Sequence, residues 1–196
     1  TLEKVKGMFA FCVYDRKIKE VSLIRDRFGE KPLYLLHLDK KYFAFASEIS
    51  SFNKIKEFSQ IIDKTAVAHF FKKGWIPKEK CIWKNIYKLL PGQILTIRQD
   101  EGSNYKIIKR RMYWNKMAVA INYRNSKFHG NYEDAKKKLQ DLMFETLEGQ
   151  LLSDVPLGVF LSGGIDSSLV SALTQHVSKN KVKTFSIGFD EKMYDE

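Results

Sequence analysis

GVFLSGGIDSSLVSALTQHV, residues 158–177, decides the fold of the second half of this chain. Gly158 to Leu161 close a short apolar run, residues 155–161, of the kind that fills buried parallel strands. Ser162 to Ser168 then put two glycines, three serines and one carboxylate into a single turn. Past that turn Leu169, Val170, Leu173 and Val177 recur at helical spacing, and VKTFSIGF, residues 182–189, reads as a second buried strand. Strand, glycine turn, helix and strand make a βαβ unit, the opening of a doubly wound sheet.

The turn has the chemistry of an anion site. Ligands of open α/β sheets bind beyond the carboxyl ends of the strands, where Ser162 to Ser168 stand. Gly163 and Gly164 let backbone N–H groups approach a phosphate with no side chain in between. The helix that follows adds free N–H groups and the positive end of its dipole. The hydroxyls of Ser162, Ser167 and Ser168 offer further hydrogen bonds, and Asp166 offers a carboxylate to the magnesium that accompanies a nucleotide phosphate. The string is not a Walker loop, a GxGxxG turn or a GxSxG elbow. The competing reading is a plain tight turn with Asp166 capping the helix; the whole S-G-G-x-D-S-S string in a strand–turn–helix setting favours the phosphate cradle.

Upstream, the pattern from Gly7 to Ser47 is strand after strand: MFAFCVY (8–14), EVSLI (20–24), PLYLLHL (32–38) and YFAFAS (42–47), with LDKK (38–41) as a hairpin turn. MFAFCVY is apolar on both faces, which predicts a strand covered on both sides, with Cys12 a buried thiol. Asp63 is placed to cap a short helix that buries Val67, Phe70 and Phe71 and ends at Gly74, with Pro77 beyond. LLPGQILTI (89–97) reads as a turn and a strand, and YKIIKRRMYW (105–114) as another strand. Residues 115–130 lack clear periodicity and read as a connection, with a short strand at Met117 to Ile121. Asn131 caps a helix whose apolar face is Ala135, Leu139, Leu142, Met143 and Leu147. The expected division is a β-rich domain at 1–115, a linker at 116–130 and a second domain at 131–196.

Composition narrows the function. With 196 residues, 44% of them hydrophobic, the chain can bury a core, and no run approaches the roughly 18 apolar residues of a membrane span. A net charge of +11 raises nucleic-acid binding, but the densest run, Lys136 to Lys138, falls on the solvated face of a helix, so no nucleic-acid partner is expected. Cys12 and Cys81 are the only cysteines and suit a reducing, cytoplasmic setting, and the four histidines show no zinc spacing. Thr1 opens the chain without an initiator Met and FDEKMYDE closes it without a terminating element, which reads as an interior piece of a longer protein. In RDRFGEKP (25–32), Arg25, Asp26 and Arg27 are expected to form an ion network that supports a domain interface, with Gly29 and Pro32 shaping the turn.

SGGIDSS resembles the pyrophosphate loop of the ATP pyrophosphatases, which activate a carboxyl or carbonyl as an adenylate. GMFAFCVYD, RDRFGEKPLY, FASEI, LLPGQIL, YW and SDVPLGVFLSGGIDSS occur in the order found in glutamine-hydrolysing asparagine synthetases, over nearly the whole chain. The resemblance implies an α+β part followed by an α/β part. The first is the later portion of an αββα Ntn-hydrolase glutaminase domain. The second is the first βαβ of a doubly wound ATP-pyrophosphatase domain, adenine nucleotide α-hydrolase-like. It further implies that glutamine supplies ammonia, and that ATP with Mg2+ converts aspartate to β-aspartyl-AMP and pyrophosphate before ammonia displaces AMP.

By the resemblance, Ser162, Gly163, Gly164, Asp166, Ser167 and Ser168 hold the pyrophosphate, with Asp166 also on the magnesium, and Phe160 and Ile187 contact the adenosine. Met8 and Phe160 would line an ammonia passage, although each reads equally well as a core residue, and Glu30 stands where some relatives place an apolar passage residue. The family's nucleophilic cysteine and its glutamine-binding motifs have no counterpart, so neither Thr1 nor Cys12 is assigned a glutaminase role. Glutamine, aspartate and ATP are the expected small-molecule partners, a homodimer is compatible with the family, and residues 1–196 alone are expected to be inactive. Three other readings stand beside this one: transfer of nitrogen to another carboxylate such as an acidic sugar of a polysaccharide pathway, a nucleic-acid-binding module, and a non-catalytic remnant.

Overall fold

The computed structural model describes residues 2–38, 41–77, 79–102, 104–124 and 126–188. The chain divides after residue 125 into two units. The first contains β1 (Ala10–Asp15), β2 (Glu20–Arg25), β3 (Tyr34–Leu38), β4 (Tyr42–Ala46), α1 (Lys64–Lys73), β5 (Ile86–Lys88), β6 (Gln93–Gln99), β7 (Tyr105–Met112) and α2 (Lys116–Arg124). The second contains α3 (Tyr132–Gln150), β8 (Gly158–Phe160), α4 (Ile165–Val177) and β9 (Lys183–Phe185).

Alternating apolar side chains give the first unit two antiparallel sheets, ordered β1-β2-β6-β7 and β4-β3-β5. Leu23 of β2 and Leu95 and Ile97 of β6 meet Leu35 of β3 in one buried cluster, so the sheets stack face to face. On the far side of the smaller sheet, Leu36, Leu38 and Ile86 pack under Phe52, in a 3-10 turn at Ile49–Lys54, and under Cys81. Leu23, Leu36 and Leu95 are fully buried, each contributing about 1.5–3 kcal/mol of transfer free energy. The turn expected between β3 and β4 falls at Asp39 and Lys40, outside the described residues; the two strands it joins are antiparallel neighbours.

Three expectations need correction here. β1 is the outer strand of its sheet, and only Ala10 of it packs on the core, so Cys12 is exposed rather than buried and Val13 and Tyr14 face solvent. Helix α1 has the expected cap, with Asp63 Oδ1 accepting from Thr65 and Ala66 N–H, and the expected left-handed Gly74 at its end. Its buried position is nevertheless Ala66; Phe71 is 83% exposed and Phe70 half-exposed. Residues 116–124 form helix α2 instead of a linker with a strand at Met117 to Ile121, because Asn115 Oδ1 caps the first turn through Met117 and Ala118 N–H.

The RDRFGEKP segment forms the β2–β3 crossing between the sheets and supports the β5–β6 crossing. Asp26 is 1% exposed, and its carboxylate accepts backbone N–H bonds from Phe28, Glu30 and Lys31, each 3.0 Å. Its main-chain carbonyl accepts from Gly92 N–H at 2.8 Å, tying the β2–β3 crossing to the β5–β6 crossing. Arg25 donates to the carbonyls of Gly29, Lys31 and Leu89, and Arg27 to those of Glu3 and Val5. The expected ion network is therefore a hydrogen-bond hub in which all three side chains serve backbone groups. Gly29 at φ +70 and Gly92 at φ +69 are required: a Cβ on Gly92 would lie 2.3 Å from the Trp114 carbonyl oxygen.

In the second unit, Asn131 and Asp134 close a reciprocal capping box at the start of α3. The apolar face of α3 is buried only in its second half. Leu147 is buried and Phe144 stacks on His176 of α4 at 5.0 Å, whereas Leu139 and Leu142 are exposed because only the later turns of α3 pack against α4. Lys136, Lys137 and Lys138 are exposed, with Lys136 paired to Glu133. β8 and β9 pair in parallel, as the βαβ reading requires, but both are shorter than expected and largely exposed, since among the described residues two strands form this sheet. Phe189, the end of the expected second strand, lies outside the described residues.

Two expected outcomes follow for stability. Burial raises the Asp26 carboxyl, but the backbone N–H groups led by Lys31 and Glu30 outweigh it, so its pKa lies below the ordinary value. Its contribution is then complete above the unfolded pKa of about 4 and lost as pH falls through the lower folded value. Asp26→Asn flattens that acid limb and lowers urea stability by about 1–3 kcal/mol at pH 7, read from denaturation curves at pH 7 and across the acid range. Gly92→Ala costs more than the roughly 1 kcal/mol of a left-handed residue, because the carbonyl of Trp114 must also move.

Candidate functional site

The loop 161–168 is built from backbone. Leu161 N–H donates to Phe185 O at 2.8 Å, so the sheet pairing runs up to the loop, and Ser186 Oγ donates to Leu161 O at 2.6 Å. Gly163 has φ +86, the left-handed region that glycine enters without strain. Gly164 is the N-cap of α4 and supplies no side-chain acceptor, so the first turn of the helix presents uncapped N–H groups. Asp166 lies within that first turn and is not the cap, which removes the plain-turn reading in its Asp-capped form.

Two of the three serines shape the loop. Ser167 Oγ donates to Gly164 O at 3.0 Å and accepts from Ser162 N–H at 3.3 Å. It also lies 3.1 Å from Ser162 Oγ. Ser167 has one hydroxyl proton, given to Gly164, so Ser162 is the donor of the hydroxyl pair. Ser168 N–H makes the first helical bond, to Gly164 O at 3.0 Å.

The expected site residues fall together at one end of the β8–β9 pair. Ser162, Gly163, Gly164, Asp166, Ser167 and Ser168 form the loop and first helical turn. Phe160 ends β8 and Ile187 lies two residues past the end of β9; each is 74% exposed. Met8 is half-exposed and belongs to the other unit. Glu30 gives its N–H to Asp26 within the hub. Two contributors were not singled out from the sequence. Ser186 fastens the strand ends under the loop, and a Cβ on Gly158 would come 2.3 Å from the Phe185 ring, so glycine there lets that ring lie across β8. The signal for the second was a glycine inside a strand pattern.

The loop fits a phosphate chain, because a left-handed glycine and a glycine N-cap leave the helix N-terminus open to an anion. Among the described residues no group of three or more His, Cys, Asp or Glu could hold a metal, so Asp166 is a single carboxylate. That suits magnesium, which binds through one or two carboxylates plus substrate phosphates. A cavity of about 520 Å3 in this unit lies elsewhere, at the amino ends of the strands, lined by Leu151, Leu157, Val177 and Val182 among others. Among the described residues no helix is long and apolar enough to cross a membrane.

Comparison with known proteins follows these two units. A glutamine amidotransferase domain family matches residues 1–114, and an asparagine synthase family matches residues 138–196. A Methanocaldococcus jannaschii protein provisionally named asparagine synthetase (glutamine-hydrolyzing) 2 is 36% identical over 198 residues, covering 100% of this chain and 36% of that protein. Asparagine synthetase (glutamine-hydrolyzing) 1 of Bacillus subtilis is 30% identical over 193 residues, 98% of this chain and 28% of that protein. Amidase chry2 of Gibberella zeae is 26% identical over 204 residues, 97% of this chain and 28% of that protein. The chain thus spans about a third of the length of these relatives.

Gly164 separates fold from ligand contact. Its φ of −69 suits any residue, and an added Cβ would meet only Ser162 Oγ at 3.6 Å and Ser167 Oγ at 3.9 Å. Gly164→Ala therefore leaves thermal stability unchanged within about 0.5 kcal/mol. If the loop receives a polyphosphate at the helix end, the new methyl stands in its approach, and equilibrium dialysis with Mg-ATP is expected to show affinity reduced about tenfold or more.

Proposed function

The chain belongs to the glutamine-hydrolysing asparagine synthetase family, and from that premise we propose that it carries part of an ATP-dependent amidotransferase that makes asparagine from aspartate, with glutamine as nitrogen donor. The observation that carries this reading is the uncapped, glycine-walled start of α4 at the carboxyl end of two parallel strands. On this reading the first unit is the later part of an αββα Ntn-hydrolase domain and the second is the first βαβ of an ATP-pyrophosphatase domain.

The loop's own groups suit the departure of pyrophosphate. N–H groups of the first turn of α4, at the positive end of its dipole, hold the β- and γ-phosphates and stabilise the charge that builds on them as the bond from the α-phosphorus to the bridging oxygen breaks. An aspartate carboxylate oxygen forms the new bond to the α-phosphorus, giving β-aspartyl-AMP and pyrophosphate. Ammonia then attacks the acyl carbon, AMP leaves with the electron pair of the C–O bond, and loss of a proton leaves the amide. Ser162 Oγ, a donor to Ser167 in this loop, can turn its proton to a phosphate oxygen without breaking the Ser167–Gly164 bond. Bound magnesium would neutralise phosphate charge, with Asp166 as its protein ligand. Phe160 and Ile187, apolar and exposed at the strand ends, supply surface for the adenine. Met8 and Phe160 are proposed as walls of an ammonia passage.

A second acceptor is favoured by the amidase names that relatives in Gibberella zeae and Penicillium rubens carry: the same loop would then activate a carboxylate other than aspartate. The test is pyrophosphate release from Mg-ATP by the intact protein, with and without aspartate. Aspartate-dependent release that falls about a hundredfold in Asp166→Ala supports asparagine synthesis, because Asp166 is exposed and its loss leaves the fold intact. Release by other carboxylates but not by aspartate moves the assignment to a different acceptor. Absence of release with any carboxylate overturns both.

A further inference from the structure

Alternation along the short strand β5 divides its side chains between two faces. Ile86 packs with Leu36, Phe52 and Cys81 on the far side of the smaller sheet, and Lys88, two residues on, shares that face. Its cross-strand partner there is Tyr34 of β3, which also packs against the cluster. Lys88 is half-buried; its Nζ donates to Ile76 O at 2.7 Å, and its backbone N–H donates to Glu79 O at 2.7 Å. The lysine thus ties the segment that follows α1 to the outer edge of the sheet.

The partner of this ammonium group is a carbonyl and not an anion. Lys80 is paired with Asp63, Lys106 with Asp100 and Lys136 with Glu133, whereas among the described residues no carboxylate pairs with Lys88. The carboxylates of the flanking segments are engaged elsewhere, Glu79 by Arg110 and Asp26 by backbone N–H groups. The guanidinium of Arg25, which donates to the neighbouring Leu89 O, brings charge of the same sign. Burial holds the Lys88 ammonium below its ordinary pKa; Cys81 opposes that shift and Arg25 adds to it. A desolvated lysine beside a second cation is a nucleophilic amine near neutral pH.

The surroundings select the reagent. Pro77, directly after the carbonyl that Lys88 holds, lines a cavity of about 610 Å3 whose walls include Lys73 and Lys80. An uncharged reagent enters a half-buried site without a counter-ion, and a negatively charged product meets the cation that disfavoured the ammonium. Carbon dioxide fulfils both conditions. We propose that Lys88 is a site of reversible carbamate formation with carbon dioxide. The Nζ lone pair bonds to the carbon of CO2 while one C–O π bond breaks and its electron pair moves to oxygen; Nζ then gives a proton to water. The product keeps one N–H on nitrogen, so the bond to Ile76 O is retained. The site lies in the first unit, uses none of the 161–168 loop and does not rest on the adenylation reading.

The test follows the adduct itself. Intact protein is equilibrated with 13C-enriched bicarbonate and CO2 at about pH 7.5, observed by 13C NMR, then alkylated with a trialkyloxonium salt and mapped by peptide mass. A carbamate resonance is expected apart from those of bicarbonate and CO2, half-saturated at about millimolar CO2, with the trapped ester on Lys88. Lys88→Arg, which keeps the charge and a donor for Ile76 O but offers no amine, removes that resonance, and Lys80→Arg leaves it unchanged. A trapped ester absent from Lys88 up to about 20 mM CO2 would overturn the proposal, independently of how either variant folds. Equal trapping at the ion-paired Lys80, Lys106 and Lys136 would overturn it too, because the reaction would then owe nothing to the surroundings of Lys88.

Discussion

The carboxylate of Asp26, buried and holding three backbone N–H groups, is the constraint on which the first unit depends. Two sheets can stack only if the chain crosses between them, and each crossing leaves backbone donors and acceptors that no strand satisfies. Asp26 and Arg25 satisfy those groups in both crossings at once: Asp26 serves the loop after β2, and its carbonyl takes Gly92 N–H, while Arg25 reaches Leu89 O just after β5. Gly29 and Gly92 are glycines because the chain must pass within van der Waals distance of Pro91 and Trp114 there. The layer between the sheets, centred on Leu23, Leu35 and Leu95, is then an ordinary apolar core whose register is already set.

The second unit is held by less and shows more backbone. Its sheet has two strands, and the burial it achieves is concentrated where α3 and α4 meet, at Leu147, Leu173 and Thr174. What is well determined is the loop. Gly163 turns, Gly164 caps without a side chain, Ser162 and Ser167 lock the turn, and Ser186 fastens the neighbouring strand end. A site made of N–H groups and a helix dipole needs this backbone precision more than it needs particular side chains.

The sandwich also shows how charge enters an apolar layer. One extra residue in β7 reverses the alternation and brings Arg110 to the inner face, where Glu79 meets it from the segment before β5. Bulges recur where a side chain must be re-aimed, and here the result is a partly exposed ion pair at the edge of the apolar layer.

Several elements were legible residue by residue: Asp63 and Gly74 bounding α1, Asn131 opening α3, and S-G-G-x-D-S-S joining a strand to a helix. These are local events, in which a cap or a glycine acts on backbone a few residues away. The misses share the opposite property. Whether Cys12 is buried depends on β1 being an outer strand, whether Leu139 is covered depends on where α4 lies, and whether Arg110 faces inward depends on a bulge that no alternation pattern reveals. Met117 to Ile121 is a short apolar run that suited a strand, and Asn115 made it a helix. By itself the sequence determined the caps, the glycine turn that joins β8 to α4 and the family, because those are written in short-range chemistry. Only the tertiary structure decided which faces are buried and which polar groups meet, because burial belongs to pairs of elements distant along the chain.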